Sequence, residues 1–174
     1  MKNTCLFCVF NILQILLLLW GDNDSVRNLR FNRLSSFEDL PSEEITQIIQ
    51  DHTGYIWIAT NSGLCRYDGY RVRIYKDNVF TPGILIDNQI KCIAEDYSNN
   101  LWIGTNNGLN VLDMETGEIR RIEDSRLQDG VVSVLYVTKD NNVWVGMDGG
   151  LFRYIPERDC FIVYDKATSG NPLV

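Results

Sequence analysis

One stretch of this sequence occurs three times, and that repetition limits the possible folds more than any other feature of the chain. Aligned on Trp57, Trp102 and Trp144, which are 45 and 42 residues apart, the segments Tyr55–Thr60 (YIWIAT), Asn100–Thr105 (NLWIGT) and Asn142–Met147 (NVWVGM) coincide. Six residues after each tryptophan stands a glycine (Gly63, Gly108, Gly150), followed every time by a leucine (Leu64, Leu109, Leu151). Four residues after each is Asn61, Asn106 or Asp148. A unit of about 40–45 residues is too small to bury its own apolar face, so copies must stack on one another.

Each copy reads as four short strands. An apolar strand opens it (Ile45–Gln50, Ile90–Glu95, Val132–Val137), and a turn of residues that tolerate left-handed backbone follows (Asp51–Gly54, Asp96–Asn100, Asp140–Asn142). The tryptophan strand is second. Asn-Ser-Gly, Asn-Asn-Gly or Asp-Gly-Gly then makes a tight hairpin into the Gly-Leu strand. Turns at Asp68–Gly69, Thr116–Gly117 and Pro156–Asp159 lead to a fourth strand at Val72–Tyr75, Ile119–Ile122 and Phe161–Tyr164. The tryptophan strands are apolar on both faces, whereas a strand covered on one side alternates. Sheets sandwiched between like sheets and stacked radially are the blades of a β-propeller. The expected fold is therefore all-β: a partial propeller over residues 29–174, with blades at about 45–77, 90–124 and 132–166. Arg30–Leu34 aligns with a fourth strand and is expected to be an orphan outer strand preceding the first full blade.

The start of the chain concerns address. Lys2 precedes an apolar stretch, Cys5–Trp20, which ends at the polar exit Gly21–Asp24. This pattern reads as a secretory signal peptide over residues 1–21. Leu19 and Gly21 stand where a small-x-small cleavage pair is usual, so an uncleaved anchor and a buried helix are the alternatives. Beyond this segment Cys65, Cys92 and Cys160 form neither a CxxC pair nor an even disulfide set, and read as small buried hydrophobes. With 16 Lys and Arg against 23 Asp and Glu, the net charge of −7 argues against nucleic-acid binding. The single histidine, His52, excludes a His-rich zinc site and lies in a blade turn, where a phosphorelay role does not fit.

The segments IIQDHTGYIWIATNSGLCRYDG and IAEDYSNNLWIGTNNGLNVLD resemble the two-component regulator propeller repeat, and the lead-in RFNRLSSFEDLPS resembles the opening of the exported sensor region of hybrid two-component systems. The third copy departs from the pattern, with Thr138 in place of Asp51 and Asp96, and Met147 in place of Thr60 and Thr105. The resemblance implies a periplasmic propeller, ahead of a membrane helix and a histidine kinase, that senses polysaccharide breakdown products in Bacteroides-type bacteria. It implies an oligosaccharide ligand for the complete receptor, and no kinase, catalytic activity or cofactor in this chain.

Side chains that could carry chemistry have structural explanations. The tryptophans could stack on sugars, but their repeated strand positions place them in the core between blades. Asp51 and Asp96 could act as acids or bases, but one per blade at a fixed distance from the tryptophan points to turn capping. Asn61, Asn106 and Asp148 belong to hairpins, and Asp140–Asn142 lacks a calcium-loop pattern. No catalytic, cofactor or metal residue is assigned. Ligand contacts are expected from the longer loops Asp77–Asn88 and Glu123–Gly130 or from further blades. With three blades against the four to eight of a closed ring, the chain is expected to be a piece of a longer receptor. The alternative is a secreted binding module whose copies, as a homodimer, complete the ring.

Overall fold

Twelve strands form three separate four-stranded antiparallel sheets in the computed structural model, which describes residues 40–77 and 85–164. All of these residues lie within one unit, Ser35–Val174. The first sheet runs β1 (Ile45–Gln50), β2 (Ile56–Thr60), β3 (Gly63–Tyr67), β4 (Val72–Tyr75). The second is β5 (Ile90–Glu95), β6 (Asn100–Thr105), β7 (Gly108–Asp113), β8 (Ile119–Arg121). The third is β9 (Val132–Val137), β10 (Val143–Met147), β11 (Gly150–Ile155), β12 (Cys160–Tyr164). In every sheet, spatial order equals chain order. These are propeller blades, and the strands fall where the repeat places them, β8 ending one residue early and β12 starting one residue early. A 3-10 turn at Pro156–Arg158 occupies the last expected turn. The leader at 1–21, the orphan strand at 30–34 and the segment after Tyr164 lie outside the described residues.

Two local devices recur. The first strand of each blade carries a bulge at its second residue, so that Thr46, Lys91 and Ser133 have no partner across the ladder. A bulge re-aims the side chain and tightens the local twist. In the first blade it points the Thr46 hydroxyl at the carbonyl of Ile90 in the next blade, 2.9 Å away. The second device is the hairpin glycine. Gly108 has φ +121°, and a Cβ there would sit 3.0 Å from the Leu127 carbonyl oxygen. The Thr105 hydroxyl then donates to the Gly108 carbonyl at 2.8 Å and accepts from the Asn107 N–H at 3.1 Å. Thr60 repeats both bonds in the first blade, whereas Met147 cannot in the third.

Two cores fill the seams between blades. Between the first two, Trp57 and Leu64 meet Leu85, Ile90, Ile93, Leu101 and Ile103. Between the second and third, Trp102 meets Val132, Val145 and Phe152, with the Tyr154 ring edge-on at 4.9 Å. Each seam is close because a small residue follows the tryptophan by two. A Cβ at Gly104 would lie 2.6 Å from a Val132 methyl of the next blade. Trp57 and Trp102 are buried as expected. Trp144 is not: it is half-buried on the outward face of the third sheet, where no fourth sheet of the described residues lies against it. Covering on both faces therefore holds for β2 and β6 and fails for β10.

Candidate functional site

The turn after each first strand is the most elaborate polar structure in the described residues. Asp51 is buried, and its Oδ1 accepts the Thr53 hydroxyl (2.6 Å) and the backbone N–H groups of Thr53 (2.9 Å) and Tyr55 (3.0 Å). Its Oδ2 accepts the indole N–H of Trp57 at 2.7 Å. Burial pushes the Asp51 carboxyl up, but these bonds together outweigh burial and hold it below the usual range. Asp96 repeats the arrangement with Ser98 N–H (2.8 Å), Asn100 N–H (2.9 Å) and the Trp102 indole (2.8 Å). Both carboxylates are thus committed to structure, as turn capping requires. Sequence alone does not reach the bond to the tryptophan, although the six-residue spacing Asp51–Trp57 and Asp96–Trp102 is its signal. In the third blade the Thr138 hydroxyl keeps only the turn bond, to the Asn142 N–H at 3.0 Å.

These turns also fasten one blade to the next. The His52 backbone N–H donates to the Glu95 carboxylate at 3.1 Å, and the His52 ring Nδ1 reaches the same carboxylate. One blade further on, the Tyr97 N–H donates to Asn141 Oδ1 at 2.8 Å, and Asn141 Nδ2 donates to the Ser98 hydroxyl at 2.9 Å. Asn99 and Asn141 take the left-handed backbone their turns require, with φ of 66° and 59°. His52 is therefore a seam residue among turn residues.

Between the fastened turns lies a groove of about 420 Å³, lined by His52, Glu95, Asp96, Tyr97, Asn99 and Val137. Residues from all three blades meet there. Tyr97 is exposed there, on a frame fixed by the seam bonds. A second groove, of about 430 Å³, runs between the outer strands of the second and third blades beside Arg120, Arg121 and Asp159. Its arginines are already engaged: Arg120 with Asp159 at 3.5 Å, and Arg121 with the Leu85 carbonyl at 2.9 Å. Nearby Arg126 bonds the Phe161 carbonyl at 3.1 Å and holds the Asp124 carboxyl below its ordinary range.

The other candidates are structural. Asn61 and Asn106 use their backbone N–H groups to bond the carbonyls of Glu44 (3.2 Å) and Gln89 (2.9 Å). Cys65 and Cys92 are free and buried; burial pushes their thiols up to about 11 and about 12. Cys160 is free and half-buried. Among the described residues, no cluster of three or more His, Cys, Asp or Glu side chains could hold a metal ion. No helix among them is long and apolar enough to cross a membrane.

Residues 39–62 and 84–107 match the family described as two component regulator propeller, each match holding a first strand, the Asp-anchored turn and the tryptophan strand. Two segments of the chain, one in each of the first two blades, are thus similar to the two-component regulator propeller repeat. Histidine kinase P4 of Formosa agariphila is 30% identical over 78 residues, which is 45% of this chain and 6% of that protein. The extracellular domain of the hybrid two component system BT3049 from B. thetaiotaomicron superposes with a TM-score of 0.68 at 24% identity, over 79% of this chain and 20% of that one. This likeness speaks for the fold. Virginiamycin B lyase from Staphylococcus aureus shares the blade geometry more distantly, with a TM-score of 0.54 at 14% identity over 73% of this chain and 43% of that one. The chain thus spans less than half of the length of each of these proteins.

Proposed function

We propose that this chain is an exported, periplasmic blade set of the ligand-sensing propeller of a hybrid two-component system, binding an oligosaccharide and performing no catalysis itself. The match of two of its blades to the regulator repeat carries this reading. The geometry supports it. The residues that recur from copy to copy are spent on turns, hairpins and seams, which leaves a rigid frame whose exposed groove side chains differ from blade to blade. Tyr97 supplies an exposed aromatic face in the groove, beside a few polar side chains that can fix a ligand's orientation. In a complete receptor, a ligand held there would favour one arrangement of the exported domains by its difference in affinity between the two.

Isothermal titration of the full chain against a panel of neutral, acidic and sulfated oligosaccharides tests this. Binding by at least one class, weakened about tenfold or more in Tyr97→Ala at unchanged stability, is the expected result. Heat from none of the panel, or equal binding by Tyr97→Ala, would overturn the assignment of the groove.

A further inference from the structure

The acidity of the described residues is concentrated at one end of the blades. Each sheet is a meander, so the turn after its first strand and the turn after its third lie at the same end. The bonds His52–Glu95 and Tyr97–Asn141 join these ends from blade to blade. There, positions 51–55, 68–71, 95–99, 113–118, 138–142 and 156–159 hold ten Asp and Glu against Arg71, Lys139 and Arg158. The other described residues are balanced, with eight Asp and Glu against eight Lys and Arg. One of these, Arg120, reaches Asp159 at 3.5 Å and offsets it. The rest of the excess belongs to the end where the groove beside Tyr97 opens.

The groove itself repeats the imbalance. Of its lining residues, Glu95 and Asp96 are carboxylates, and none among the described residues is Lys or Arg. The Glu95 side chain is 18% exposed and Asp96 is buried, so water screens them less than it screens surface charges. Their oxygens already accept bonds from seam and turn donors, so what they present to a ligand is mainly charge. Even protonated, the His52 ring would offset only the Glu95 carboxylate against which its Nδ1 lies. Asp51, next to His52 in the chain, adds a further negative charge.

We propose that this groove takes uncharged oligosaccharides and turns away those that carry carboxylate or sulfate groups. This ligand class rests on the reading of the groove as the sugar site. An anionic sugar laid on Tyr97 would bring its charge beside two carboxylates, with no Lys or Arg of the groove to receive it. Like charges brought together out of water oppose binding, and such repulsion is a common source of specificity. A neutral sugar meets no such cost, and its apolar ring face suits the exposed Tyr97.

Isothermal titration of the full chain can compare linear glucose tetramers with β-1,4, β-1,3 and α-1,4 links, each plain and sulfated, at about 20 mM and about 500 mM salt. At least one plain tetramer is expected to bind, with its sulfated form weaker by more than about tenfold at the lower salt. The higher salt should shrink that gap to less than about threefold, because the screening length falls from about 20 Å to about 4 Å. Glu95→Gln, with near-UV circular dichroism matched to wild type, should shrink it too; a variant that fails this match leaves the decision to salt. A sulfated form that binds as tightly as its plain parent, a gap that ignores salt, or silence from every plain tetramer would each overturn the proposal. In the last case, binding of another member of the wider panel would leave the groove standing as the sugar site, whereas silence from the whole panel would remove both.

Discussion

Replacing Asp51 by alanine is the sharpest test of how a blade is held together. The substitution removes the acceptor for the Trp57 indole and for the two backbone N–H groups of the turn, and both residues are buried. A buried donor left without a partner costs about 1–3 kcal/mol, and losing the turn cap adds about 1 kcal/mol. Asp51→Ala should therefore lower the unfolding free energy by about 2–4 kcal/mol at neutral pH, measured by urea denaturation of the full chain followed by circular dichroism. Trp57→Phe removes the donor while keeping an aromatic ring. If the bond carries the effect, the double variant loses less than the sum of the singles, with a coupling of about 1–2 kcal/mol. Acid supplies an independent check. The folded Asp51 carboxyl titrates below its unfolded value, so its contribution is fully present above about pH 4 and is lost as the pH falls through the folded value. The difference between wild type and Asp51→Ala should shrink in that window. Additive single variants, or a cost under about 1 kcal/mol, would refute the argument.

Two further outcomes follow from the fold. Gly108→Ala forces a side chain into left-handed backbone against the Leu127 carbonyl, and should lower stability by about 1–3 kcal/mol as read from the urea midpoint. Among Cys65, Cys92 and Cys160, iodoacetamide at mildly alkaline pH should label Cys160 first, because Cys65 and Cys92 are buried with thiols pushed up to about 11 and about 12; mass spectrometry of peptides should find those two labelled only after unfolding.

The strands, the hairpins and the buried Trp57 and Trp102 could be read in the sequence because they depend on short-range pattern repeated three times. The Asp51–Trp57 bond was within reach of the same reasoning, since both partners belong to the pattern, but spacing alone does not say which way a side chain turns. The bulges at Thr46, Lys91 and Ser133 leave no mark in the sequence, because the extra residue is polar and of a different type in each copy. The contacts His52–Glu95 and Tyr97–Asn141 join residues about one repeat apart and use a different pair each time. Only the angle between neighbouring sheets brings them together. Trp144 departs from expectation for the same reason: its strand carries apolar residues around the tryptophan as the others do, and burial is decided by what stands opposite.

Every sheet is built from four strands consecutive in the chain, each paired with the one just before it. No strand has to wait for a distant partner, so the loop closed at each pairing step is a few residues long and its entropic cost is small. A chain emerging end-first from a ribosome or a narrow channel could complete one sheet before the next had appeared. The seam would then be the late event, a docking of preformed surfaces rather than a collapse of loose chain.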